Sequence, residues 1–137
     1  LEKVSLAMVE AGRRTSGPDY AAAIQALHKA GRRIAPFFER YDVLLTPTLA
    51  KPPVAIGELA TETDDMAAYR ERLFGFSPFT SLFNVSGQPA CTVPLHWSET
   101  GLPMGSQLVA AYGNEALLFR LAAQLESARP WFERRPA

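Results

Sequence analysis

Two β-favouring runs, 90–97 and 103–111, lie almost end to end in a chain whose other apolar residues recur at helical spacing. That mixture limits the fold to helices layered on a sheet and excludes an all-helical bundle. In the first run Cys91, Val93, Leu95 and Trp97 share one face by the two-residue period of a strand. The link Ser98-Glu99-Thr100-Gly101 is short and turn-rich, so the two runs pair as an antiparallel hairpin. Pro94 has no N–H to give to a ladder, which makes this strand an edge or irregular at that point. A third run, Val43-Leu44-Leu45, is bounded by Asp42 and Pro47 and predicts a short buried strand. Pro47, Pro52 and Pro53 make 46–57 an extended loop.

Helical spacing surrounds these runs. Leu1, Val4, Met8 and Ala11 predict a short helix ending at Gly12. Ser16 is placed to cap the next one, with Asp19 three residues on and Pro18 in the first turn, where a missing N–H costs nothing. From there Tyr20, Ile24, Leu27, Gly31, Ile34 and Phe38 follow steps of three and four and form one apolar stripe. Gly31 on that stripe points to a close approach by a neighbouring backbone, and Pro36 must bend the helix or end it early. Asp64 and Asp65 stand where a helix over 66–74 needs a cap, and 78–83 predicts a further helical piece closed by Asn84 to Pro89. The last helix has Asn114 as cap, Glu115 near the positive end of its dipole, and Leu117, Leu118, Leu121 and Leu125 facing inward.

The charges balance, 14 basic residues against 14 acidic, so there is no electrostatic footprint for nucleic acid or an anionic membrane. With 47% hydrophobic and 20% charged residues, the 137-residue chain has the means to bury a core as one domain. No apolar run reaches the ~18 residues that span a bilayer, and the first residues do not read as a signal peptide. The single cysteine fits a reducing compartment, and a cytoplasmic location is expected. The chain starts at Leu1 and enters an apolar periodic pattern at once, which suggests a piece of a longer polypeptide.

Catalytic chemistry is hard to find. Nucleophilic catalysis needs a nucleophile, an adjacent base and donors for an oxyanion. The sequence has no G-x-S-x-G elbow, no S-x-x-K pair and no Gly/Ser-rich run to form a nest of backbone N–H groups. Lys3, Lys29 and Lys51 read as solvated, and His28 and His96 as surface or packing residues. Asp64 and Asp65 lack a third oxygen ligand for a metal, and Cys91 reads as a small buried thiol. Neither a metal nor a cofactor is expected.

One set of segments narrows the function. Tyr41-Asp42-Val43-Leu44-Leu45-Thr46-Pro47-Thr48 comes first, followed by Phe79-Thr80-Ser81-Leu82-Phe83-Asn84-Val85-Ser86-Gly87-Gln88-Pro89-Ala90. Val93-Pro94 and Gly101-Leu102-Pro103-Met104-Gly105-Ser106-Gln107-Leu108-Val109 complete the set. In order and spacing, with the closing helix, they resemble the C-terminal third of an amidase signature family hydrolase, from about residue 14 onward. The resemblance implies an α/β fold, an α/β/α sandwich with a mixed central sheet, of which residues 1–137 would be the C-terminal portion of a single amidase domain. It also implies hydrolysis of carboxylic amide C–N bonds by a serine, a second serine in a cis peptide and a lysine base. All three belong to the N-terminal part of the family pattern, so no catalytic residue is assigned here and this chain alone is expected to be inactive.

In family members the segment matching 77–89 lines the acyl side of the cleft. Thr80 and Phe83 are therefore the first candidates for substrate contact, with Phe79 and Asn84 beside them. The structural alternative for Phe79 and Phe83 is core packing at i, i+4, and for Asn84 the binding of turn backbone. Thr46-Pro47-Thr48 is placed either to border the same cleft or simply to end a strand. Glutamine-using amidotransferase A subunits carry an acidic residue two places before the position of Phe79. Here Ser77 stands there, which disfavours that branch because a neutral side chain cannot pair with an ammonium group. A non-catalytic α/β binding or assembly module, using the Pro-rich loop and Phe79/Phe83 as a partner surface, is the rival. Expected partners are a small-molecule amide and the N-terminal part of the same protein, with self-association, or marginal stability, from uncovered sheet edges and an uncovered cleft wall.

Overall fold

A computed structural model describes residues 1–136. Helix α1 (Lys3–Arg13) is followed by α2 (Gly17–Ile34), a 3-10 turn (Ala35–Glu39), and strand β1 (Val43–Pro47). Then come α3 (Met66–Phe76), α4 (Ser81–Ser86), strands β2 (Ala90–Trp97) and β3 (Pro103–Ala110), and α5 (Glu115–Ala128). The three strands form one sheet in the order β1-β3-β2. The fold is α/β, and within this chain both strand pairings are antiparallel. The mixed sheet implied by the family resemblance is therefore not visible in these three strands.

The hairpin forms as its sequence predicts, and Pro94 acts in both ways foreseen. β2 is an edge strand, and its register against β3 slips between Val93 and His96. The pairing of β1 with β3 is regular throughout, from Val43 opposite Ala110 to Pro47 opposite Ser106. β1 differs from expectation in its burial: it lies at the other edge, and Leu45 is 63% exposed. An apolar triplet signals burial, but nothing in it specifies a neighbour for both sides of the strand.

The core lies between the sheet and α5. Val93, Leu108, Ala110 and Leu118 are buried together, and Val43, Cys91, Leu95, Leu117, Leu121, Leu125 and Trp131 pack around them. All four leucines assigned to the inner face of α5 are in this group. Asn114 does precede the helix, but its side chain makes no capping bond; backbone bonds from Asn114 N to Ala111 O and Leu117 N to Asn114 O close the turn instead. Beyond α5, Arg134 lies over the Trp97 ring, 4.2 Å from its centroid, which sets it against β2.

Local chemistry sets the other boundaries. The Ser16 hydroxyl accepts from Asp19 N at 3.3 Å and starts α2. Pro36 ends that helix at Ile34 by turning the chain into the 3-10 segment. Asp65 caps α3 by accepting from Ala68 N at 2.9 Å, while Asp64 takes the Lys3 ammonium and ties α1 to this region. At Gly31 a side-chain carbon would lie 3.5 Å from Ser86 Cα, so α2 and α4 do meet there. The stripe of α2 is covered only near that crossing, since no residue of α2 is fully buried and Tyr20 and Leu27 remain exposed.

Candidate functional site

The segment 77–89 is built around α4. Ser77 N donates to Leu73 O at 2.9 Å, closing α3, and the hydroxyls of Ser77 and Thr80 meet at 2.9 Å. Thr80 stands at the cap position of α4, but its side chain is turned to Ser77 instead of capping, and the helix starts at Ser81. The helical piece expected over 78–83 is thus displaced toward the C-terminus. It runs through Asn84 to Ser86 and stops at Gly87, whose φ of 78° needs a residue without a side chain.

The four candidate contacts therefore have different surroundings. Phe83 is buried, with 6% of its surface exposed, whereas Phe79 and Thr80 are half-buried. Asn84 is exposed on α4 and lies within the helix, so the turn-binding alternative for its side chain does not arise. Just beyond them, Ser86 Oγ and Gln88 Oε1 are buried without a hydrogen-bond partner among the described residues. A buried acceptor left unpaired costs about 1–3 kcal/mol, which makes these two atoms the least satisfied polar groups near α4.

A polar row crosses the sheet at Thr46, Thr48, Thr92 and Gln107. Gln107 Nε2 donates to Thr46 Oγ1 at 3.0 Å, and the Thr48 and Thr92 hydroxyls are 3.1 Å apart. Gly105 makes that second contact feasible: a methyl group on it would sit 2.7 Å from both Thr48 Oγ1 and Thr92 Cγ2. Thr48 N also donates to Gly105 O at 3.0 Å, pinning the start of the proline-rich loop to β3. Sequence reasoning missed this row. The alternation of Thr46, in β1, with Thr48 just past its end, facing Gln107 and Thr92 once register is known, is the signal that carries it.

An open cleft of about 440 Å³ lies beside the row, between β1, the loop after it and the start of β3. Leu45, Leu49, Pro53 and Met104 line it together with Lys51, His96 and Ser106. Thr80, Phe83, Phe79 and Asn84 do not line this cleft, whereas Thr46 and Pro47 do.

Among the described residues no serine, threonine or cysteine side chain is hydrogen-bonded to a histidine or lysine, although Ser106, Lys51 and His96 line one cleft. His28 and His96 are exposed on α2 and β2. Lys3 is held by Asp64, which favours its ammonium form and raises its pKa. Burial pushes the Cys91 thiol up, the opposite of an activated thiolate. No three His, Cys, Asp or Glu side chains gather to hold a metal among the described residues, and no helix there is long and apolar enough to cross a membrane.

Comparison with known proteins places this architecture. The family model described as Amidase matches residues 1–119. A putative amidase AmiC of Mycobacterium leprae is 49% identical over 109 residues, which is 80% of this chain and 23% of that protein. A 6-aminohexanoate-cyclic-dimer hydrolase of a Pseudomonas species is 39% identical over 142 residues, covering 99% of this chain and 29% of its own length. A solved structure of 6-aminohexanoate cyclic dimer hydrolase superposes with a TM-score of 0.89 at 38% identity, over 99% of this chain and 29% of that one. The chain thus spans less than a third of these relatives. In sequence across most of its length and in the placing of its helices and strands, it belongs to the Amidase family.

Proposed function

We propose that this chain is the C-terminal portion of a single amidase domain in an enzyme that hydrolyses carboxylic amide C–N bonds. The observation that carries this is the agreement in fold and sequence, over 99% of the chain, with a hydrolase named for an amide substrate. The chemistry of the chain supports a division of labour. Its described residues offer sheet, helices and pocket walls but no paired nucleophile and base, so the Ser-cisSer-Lys triad is assigned to residues outside this chain. Thr80, Phe83, Phe79 and Asn84 are assigned to the acyl side of the substrate cleft. Buried Phe83 supplies a fixed apolar surface, and half-buried Thr80 a hydroxyl held by Ser77.

Ser77 supports a stand-alone amidase over a glutamine-using amidotransferase subunit. It is neutral and hydrogen-bonded to Thr80, so it has no charge to offer an ammonium group. The test is hydrolysis of simple anilides and of the 6-aminohexanoate cyclic dimer by the full-length protein and by this chain alone. Hydrolysis by the first and none by the second is the expected result. Cleavage by the isolated chain would overturn the assignment of the triad, and inactivity of the full-length protein on all amides would overturn the function. Phe83→Ala in the full-length enzyme raises KM for long acyl groups more than for acetyl; an equal change for both removes Phe83 from the acyl wall.

A further inference from the structure

We infer that the cleft between β1, the proline-rich loop and β3 binds the carboxylate of a small apolar acid. Its walls are mostly hydrocarbon, from Leu45, Leu49, Pro53 and Met104. Lys51 and His96 also line the cleft, while no aspartate or glutamate does. This combination favours an anion with an apolar tail: a neutral amide leaves Lys51 unanswered, and an inorganic anion leaves the hydrocarbon walls unused. The Ser106 hydroxyl supplies a further donor, free of side-chain hydrogen bonds among the described residues.

The loop wall is held before any ligand arrives. Thr48 N is bonded to Gly105 O, the Thr48 hydroxyl to that of Thr92, and Ala50 N to Phe76 O at 2.9 Å. Pro47, Pro52 and Pro53 fix φ along the same stretch, so little conformational entropy remains to be lost on binding. A volume of about 440 Å³ is within the range of small-molecule sites. No residue of 77–89 lines the cleft, so this reading does not rest on the acyl wall proposed above.

The experiment is calorimetric titration of the full-length protein with hexanoate, hexanamide and inorganic phosphate. Hexanoate is expected to bind saturably, with hexanamide and phosphate each weaker by about tenfold or more. Lys51→Gln combined with His96→Gln lowers the hexanoate affinity by about tenfold. Leu45→Asp, which places a carboxylate in the cleft from an already exposed position, abolishes binding. Equal binding of hexanamide, unchanged hexanoate affinity in the double variant or in Leu45→Asp, or no binding of hexanoate at all overturns the inference.

Discussion

Thr48 and Thr92, from the two outer strands' sides of the sheet, meet through their hydroxyls at 3.1 Å directly above Gly105 of the central strand. The glycine is thus a spacer in an otherwise continuous ladder, and the contact joins the residue just after β1 to β2 across the face of β3. Gly105→Ala forces a methyl carbon to 2.7 Å from both threonines, inside van der Waals contact. The expected cost is about 1–3 kcal/mol, the usual range for overpacking. Thermal unfolding measures it, and Thr92→Ser, which removes the clashing Cγ2, recovers part of the loss in the double variant. Full stability of Gly105→Ala would show that the row yields freely.

Neighbouring positions on α5 provide an internal control. Leu118 is 4% exposed and belongs to the core, whereas Phe119 beside it is 73% exposed. Leu118→Ala is expected to destabilise this chain by about 2–5 kcal/mol. Phe119→Ala stays within about 0.5 kcal/mol despite losing the larger side chain. Denaturant midpoints of the two variants decide the matter, and similar losses would mean that α5 is rotated from the position described.

Cys91 carries a pH prediction. Burial raises its pKa above the ordinary 9.0, so the protonated thiol is the form the fold favours. Its contribution to stability is fully present below pH 9.0 and is lost as pH rises through the folded-state value. Alkylation by iodoacetamide at pH 8 is accordingly expected to be several-fold slower than for free cysteine. Cys91→Ala flattens the alkaline limb of the stability profile, and reaction at the free-thiol rate would place Cys91 outside the core.

β1 predicts how the isolated chain behaves at high concentration. Its pairing with β3 is regular, its other edge is open, and Leu45 is exposed on it. Such an edge is a template for a further strand. Light scattering is expected to show self-association of the 137-residue chain that Leu45→Lys reduces. A monodisperse wild-type monomer contradicts this.

Much of the fold is legible because its causes are local. Ser16 and Asp65 cap the helices they precede, Pro36 stops α2, and Pro94 disturbs β2, each acting within a few residues. The leucines of α5 face the sheet because their spacing leaves no other apolar face. What the sequence conceals depends on distant partners. The exposure of Leu45 and of Tyr20 reflects which surfaces meet nothing within this chain. The displaced start of α4 follows from Thr80 choosing the Ser77 hydroxyl over a capping role. The cleft joins residues from 45–53, 96 and 103–106, and no single segment contains enough of it to be recognised. Thr80 and Phe83 are candidates only through family resemblance, since neither carries a motif of its own.

The arrangement of the sheet also governs the timing of folding. Thr46 and its partner Gln107 are separated by 61 positions, and β3 must be in place before β1 can join the ladder described here. At ribosomal rates of about 5–20 residues per second, that interval is about 3–12 s. Throughout it a nascent Val43-Leu44-Leu45 lacks the β3 neighbour it pairs with here, so chaperone binding during translation would fall on this triplet ahead of the hairpin that follows.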